Sequence, residues 1–431
     1  MELLHGKKEK RLHNNTGVAA DSPLKICILT YRGNPTCGGQ GVYVKRLSTA
    51  LRDLGHSVDV VSGPPYPQLD DGVTLRKLPS LDLYNPEDLF RVPSVRELTS
   101  PINLIEWLGV SSGGFPEPLT FSLRAYNLFR NNGHAYDIIH DNQCLGYGLL
   151  GINALGLPLV ATIHHPITVD RDVEVEAERK SWRKLKVLRW YSFLGMQGRT
   201  SRKLSHIITV SETSKKDIGG AFRIPARKFR VIANGINTET FYPKSGVKRL
   251  ENRLMVTNSA DTPLKGLRYL LEAVAKIRKK RAITLTVIGQ PKKRGVIDTL
   301  VRDLGLGDCV TFTGRIEDGE FARYYAEATM AVVPSIYEGF GLPAGEAMAC
   351  GVPVISTTGG ALAEVVGDAG ILLPPGNAKA LENAIVNLLD DPGKRETLGR
   401  AGYERVLNNF TWHNTAMNVV DVYREAIDAH R

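Results

Sequence analysis

The chain has 431 residues, more than a single hydrophobic core comfortably serves, so two or three domains are expected. Hydrophobic residues at 42% and charged residues at 23% are the balance of a globular domain, which excludes a fibrous or wholly disordered chain. Lysine and arginine number 55 against 45 acidic residues, and a surplus of +10 suits nucleic acid, an anionic membrane surface, a phosphorylated small molecule, or charge merely spread over the surface.

Residues 1–22 are polar and basic, without the apolar stretch of a signal peptide, and read as a disordered tail. No apolar run is long enough to span a bilayer. The five cysteines, Cys27, Cys37, Cys144, Cys309 and Cys350, are odd in number and form no CxxC pair. Neither a disulfide framework nor a zinc site is expected, and a reducing cytoplasm fits.

From residue 25 onward, short β-rich runs alternate with helical patterns. KICILTYR (25–32) reads as a buried strand, CGGQG (37–41) as a glycine turn, and Val44, Leu47, Leu51 and Leu54 as one face of a helix. SVDVVSG (57–63) completes a β-α-β unit. Residues 64–118 are rich in Pro, Ser and Gly, and are expected to form loops and short elements facing a cleft. Further strands fall at 137–142, 158–164, 206–211 and 229–234. A polar stretch at 243–252 separates these from a second series at 253–259, 284–290, 309–315, 330–335, 353–358 and 370–375. The expected architecture is α/β, with two Rossmann-like, doubly wound domains facing across a cleft. The first covers 23–245 and the second 246–410, and 411–431 form a C-terminal helix crossing back to the first domain. Ligands of such sheets sit beyond the carboxyl ends of the strands.

YEGFGLPAGEAMACGVPVISTTGG (337–360) carries the strongest chemical signal. Gly339 and Gly341 permit a tight turn, and Pro343 suits a first helical turn. The free N–H groups of Gly341 and Leu342 make an anion site of the kind that holds phosphate. Glu346 has the two acceptor oxygens needed for a ribose diol, and Glu338 in the loop suits sugar hydroxyls. Either glutamate alone reads equally as a helix-dipole or solvated residue; two of them bracketing Gly-Phe-Gly-Leu-Pro do not.

This segment resembles the E-x7-E signature of glycosyltransferase family 4, which has the GT-B fold. Other landmarks of that family stand in order: the GG loop, ATIHHP, TVSETS, NGINTETF, PLKGL, TGR and the closing FTWHNTAMNVVDVYREA. The resemblance implies a retaining, metal-independent transferase that takes a nucleotide-diphosphate sugar as donor and needs no cofactor; no Asp-x-Asp follows a strand. It assigns Gly38 and Gly39 to the approach to diphosphate and acceptor, and His164 to the neighbourhood of the reacting sugar. His165 is expected to point away. The resemblance also gives Lys265 the leaving diphosphate, Glu338, Gly339, Phe340, Gly341 and Leu342 the donor sugar and phosphates, Glu346 the ribose, and Arg315 and Ile316 the nucleobase. At one point the sequence departs from the family: Asn258 and Ser259 stand where a Gly-Arg pair is usual, which removes a cation from the diphosphate. Arg315 and Arg32 are the candidate substitutes, and neutral hydrogen bonds from Asn258 and Ser259 are the alternative.

Residues 179–203 hold Trp182, Leu185 and Leu188 on one helical face among cationic neighbours. This suits a helix on an anionic membrane surface, which would make the protein peripheral on the cytoplasmic face and its acceptor lipid-linked. It equally suits a helix packed on its domain. No nucleic-acid recognition motif is present. Two rival functions share the fold: a sugar-nucleotide epimerase or hydrolase, and a catalytically silent binding protein.

Overall fold

The computed structural model describes residues 22–431 apart from 35–38, 86, 89–90, 133–134 and 258–261. The expected N-terminal tail (save Ser22), Cys37, Gly38, Asn258 and Ser259 thus lie outside the described residues.

Two all-parallel sheets form. The first has the order β3-β2-β1-β4-β5-β6-β7. Its strands are β1 (Lys25–Thr30), β2 (Ser57–Ser62), β3 (Thr74–Lys77), β4 (Ile138–Asn142), β5 (Leu159–Ile163), β6 (His206–Thr209) and β7 (Phe229–Val231). The second has the order β10-β9-β8-β11-β12-β13. It comprises β8 (Arg253–Thr257), β9 (Thr284–Ile288), β10 (Val310–Phe312), β11 (Met330–Val333), β12 (Val354–Thr357) and β13 (Ile371–Leu373). In each sheet the strand order reverses beside the first strand, at β1/β4 and at β8/β11, and such a switch point opens a crevice at the strands' carboxyl ends.

Alternation along the strands explains why both faces are covered. Cys27 and Leu29 enter one core with Phe121, Phe129 and Leu149, while Ile26 and Ile28 enter another with Val44, Leu47 and Leu51. In β8, Leu254 and Val256 pack under the helix Leu267–Ile277, whose Leu267, Leu270, Leu271 and Val274 repeat at helical spacing, and Met255 faces the opposite core. The last helix, Trp412–Asp428, begins at a Thr411 cap that accepts from the Asn414 N–H at 3.2 Å. It buries Ala416, Val419, Val420 and Tyr423 against the first sheet's core, so the chain finishes on the domain where it began.

The structure corrects the sequence reading in two regions. Residues 64–118 hold the edge strand β3 and an eleven-residue helix, Pro101–Ser111. None of their described residues lines the cavity between the sheets. Buried Glu106 binds Arg124 of the helix Glu117–Asn132, and Phe115 stacks on Trp190 at 5.1 Å; both contacts turn the segment towards its own domain. The basic stretch 179–203 is two helices, Ser181–Trp190 and Leu194–Lys203, joined by a 3-10 turn. The second packs through Leu194 and Met196. The first buries nothing, and Trp182, Leu185 and Leu188 are 53%, 68% and 47% exposed, so that apolar face does not pack on its domain.

Candidate active site

The carboxyl ends of the two sheets enclose a cavity of about 340 Å³. From the first domain His164, His165, Asp170 and Asn234 line it; from the second come Lys265 and the turn Tyr337–Pro343. His164 follows β5, and Glu338 follows β11.

The central contact joins Lys265 and Glu338, for which separate roles were expected. Lys265 Nζ donates to both oxygens of Glu338, at 2.8 and 2.9 Å, and Ser335 Oγ donates to Glu338 Oε1 at 2.8 Å. Glu338 is buried, and the ammonium supplies the counter-charge that such a carboxylate requires. Lys265 ends a short 3-10 turn, and Gly266 after it takes φ +66° against the Pro334 carbonyl, where a Cβ would stand 2.0 Å from the oxygen.

Glycine is also required at 341. Its φ is +109°, and a Cβ would meet Leu362 at 2.7 Å. Gly341 caps the helix Leu342–Ala349, so Gly341 and Leu342 line the cavity at that helix's amino end, as an anion site needs. Buried Phe340 packs edge-on against Phe410 at 5.8 Å. Glu346 lies on the same helix, half-buried, and does not line the cavity. Arg315 and Ile316 follow β10, two strands from β8; Arg315 is exposed, and Ile316 packs on the core. Gly39 begins the helix Gly39–Asp53. Arg32 is engaged elsewhere. It pairs with Glu117 at 2.6 Å, lies over the Tyr84 and Phe115 rings, and does not line the cavity.

His164 is held on several sides. Its Nε2 lies 2.7 Å from Asn142 Oδ1, its N–H donates to Gln143 Oε1 at 2.8 Å, and the Tyr43 ring stands edge-on with centroids 4.5 Å apart. Burial first, then neighbouring His165 and His140, lower its pKa to about 3, so the imidazole works neutral. With Asn142 presenting oxygen, Nε2 carries the proton. Behind Tyr43 runs a buried polar chain. The Tyr43 hydroxyl meets Thr162 Oγ1 at 3.2 Å, Thr162 Oγ1 meets His140 Nε2 at 2.7 Å, and His140 Nδ1 meets the Tyr423 hydroxyl at 2.6 Å.

Three cavity features escaped the sequence reading. His165 does not point away; it lines the cavity with Asp170, their side chains 2.8 Å apart, because the chain has left β5 and strand alternation no longer applies. Asn234 is 7% exposed, and its Oδ1 has no hydrogen-bond partner among the described residues. The motif NGINTETF marked this position, but only the fold shows an unsatisfied acceptor beside the cavity. The third is the approach of Gly339 to the first domain, where a Cβ would stand 2.9 Å from the His164 carbonyl.

Two Rossmann-like sheets meeting at a cavity, with a lysine and a helix amino end on one side and a neutral histidine on the other, define a two-domain group transferase of the GT-B type. Residues 37–240 match the description Glycosyltransferase Family 4, and residues 238–405 match Glycosyl transferases group 1. The chain belongs to glycosyltransferase family 4 and is a glycosyltransferase. It is 45% identical over 408 residues to the MMP alpha-(1->4)-mannosyltransferase of Mycolicibacterium hassiacum, covering 94% of this chain and 98% of that one. A D-inositol 3-phosphate glycosyltransferase of Kribbella flavida is 26% identical, covering 95% and 98%. Among solved structures, the sucrose-phosphate synthase of Thermosynechococcus elongatus superposes with a TM-score of 0.72 at 27% identity, covering 94% of this chain and all of that one.

Proposed function

We propose that this protein transfers a mannosyl group from a nucleoside-diphosphate mannose to a saccharide hydroxyl, forming an α-linkage with retention and without a metal. The observation that carries the reading is the Lys265–Glu338 pair at the mouth of the Gly341–Leu342 helix end, in a chain 45% identical to a mannosyltransferase. In this reading the helix end and Lys265 take the diphosphate, and Glu346 takes the ribose. Glu338 and the unsatisfied Asn234 Oδ1 accept hydrogen bonds from sugar hydroxyls, and His164 faces the reacting sugar. The acceptor oxygen bonds to the sugar's anomeric carbon as the bond to the diphosphate breaks. The acceptor's proton passes to the departing phosphate oxygen on the same face, and Lys265 stabilises the charge growing there.

A thermal-shift screen of UDP, GDP, UDP-glucose and GDP-mannose, followed by transfer assays in excess EDTA, tests this. A nucleotide at a hundred times its Kd is expected to stabilise the fold by about 2.7 kcal/mol. Transfer is expected to continue in EDTA. No shift with any nucleotide would sink the donor reading. Activity lost to EDTA and restored by magnesium or manganese would sink the metal-free mechanism.

The exposed helix Ser181–Trp190 favours a second element of the reading, contact with an anionic membrane surface. Its Lys184, Lys186 and Arg183 flank a bare apolar face, and Lys186 and Arg183 lie over the Trp182 ring. The protein is expected to sediment with anionic vesicles and not neutral ones, and to be released by salt. Changing Lys180, Arg183, Lys184 and Lys186 to Gln should reduce binding several-fold. Equal sedimentation of wild type and variant would rule the surface out and favour an acceptor in solution.

A further inference from the structure

We propose that Glu364 is a positioning residue: it grips the start of a helix in the opposite domain, and that helix holds the Glu338 and His164 loops in register across the cleft. The inference rests on the donor reading above for its consequence and on geometry alone for the contact.

Glu364 belongs to the second domain, in the short helix Leu362–Val366. Its carboxylate crosses the domain boundary. Oε2 accepts from the Glu212 N–H at 2.8 Å, and Oε1 accepts from the Thr213 N–H at 2.8 Å and the Thr213 hydroxyl at 2.6 Å. These N–H groups open the eleven-residue helix Glu212–Phe222, where helical geometry provides no partner and the helix dipole favours an anion.

The same helix end handles both catalytic loops. Ser211 caps it, accepting from the Ser214 N–H at 3.0 Å, and its own hydroxyl donates to the Gly339 carbonyl at 3.0 Å. The Ser214 hydroxyl stands 3.0 Å from the Gly339 carbonyl and 3.3 Å from the His164 carbonyl, so one buried hydroxyl faces the backbones of both loops. Further along the helix, Asp217 accepts from the Tyr337 hydroxyl at 2.9 Å. The residues on both sides of Glu338 are therefore held by the opposite domain. The Glu338 carbonyl in turn accepts from the Ala361 N–H at 2.9 Å, three residues before Glu364, which ties the gripping carboxylate to the loop it positions.

A general structural role would weaken all ligands alike. A role in placing Glu338 acts on the donor's sugar and spares its nucleotide. Glu364→Gln, which keeps the shape and removes the charge, and Tyr337→Phe, as a second break in the same network, are the variants to compare. GDP-mannose and GDP are the probes for calorimetry, and amide hydrogen exchange is followed in the ligand-free proteins. Both variants are expected to bind GDP within about twofold of wild type and GDP-mannose roughly tenfold more weakly. Exchange is expected to quicken at Glu212–Ser214 in Glu364→Gln and at residues 339–342 in both. Equal weakening of both nucleotides, or unchanged exchange at both stretches, would overturn the proposal. If wild type ignores GDP-mannose, the mannosyl-donor reading fails, while the exchange comparison still decides whether Glu364 positions the loops.

Discussion

Lys265→Ala is expected to lower kcat by about 10²–10³, the range for removing one preorganised group that stabilises charge growing in a transition state. Donor affinity should fall much less, because the diphosphate gains charge mainly as the sugar leaves. The family resemblance implies a cation at the position of Ser259, and Arg32 is committed to Glu117, so the proposed leaving-group role falls more heavily on Lys265. The substitution also strips Glu338 of its counter-charge and leaves Ser335 Oγ at 2.8 Å. Glu338 is buried while Lys265 is about a third exposed, so the penalty is discounted for solvent to roughly 1–2 kcal/mol. The double variant Lys265→Ala, Glu338→Gln separates the two effects. It should recover most of the stability, since a neutral amide tolerates the site, and none of the turnover. Wild-type turnover in Lys265→Ala would remove the leaving-group role, and recovered turnover in the double variant would reduce the lysine to a partner of Glu338.

What could be read in the sequence, and what could not, follows from the range of the forces involved. Strands such as KICILT show themselves because both faces are buried and every residue after Lys25 is apolar or small. The edge strand β3 (Thr74–Lys77) does not, since three of its four residues are exposed and no hydrophobic run marks it. Glu338, Gly341 and Lys265 are legible because tight turns and strand ends restrict which residues serve there. That Lys265 and Glu338 bind each other is a tertiary fact, joining positions 73 residues apart. Glu364 gave no local signal; its partners lie about 150 residues earlier and across a domain boundary. The face of Trp182, Leu185 and Leu188 shows the reverse limit. Helical periodicity established that the face exists, and only the surrounding structure shows that it stays exposed among the described residues.

Behind His164 and Tyr43 lies a second neutral imidazole, His140, and acid should expose what depends on it. His140 is fully buried between Tyr423 and Thr162, and burial lowers its pKa from 6.5 to about 3. The unfolded chain binds a proton at this residue below about pH 6.5 and the folded chain refuses it until about pH 3. The histidine's contribution is therefore intact above pH 6.5 and is lost as the pH falls towards 3, at about 1.4 kcal/mol per unit. Between pH 6.5 and 4.5 that amounts to roughly 2–3 kcal/mol. Buried carboxyls pull the other way: burial raises Glu117 and Asp141 to about 7, so they favour the folded state in acid. The wild-type profile mixes these terms, and the difference between wild type and His140→Gln cancels the carboxyls. Glutamine retains a donor and an acceptor for Thr162 and Tyr423 and has no proton to gain. The variant is expected to be the less stable protein at pH 7.5 and to lose less stability than wild type on acidification, so the gap in urea midpoint narrows or reverses by pH 4.5. A gap that stays constant across that range would mean that His140 is not held neutral. Because Tyr43 stands on Thr162 and packs against His164, transferase activity at pH 5 is expected to fall in step with the wild-type loss, and to fall less in the variant relative to its own value at pH 7.5.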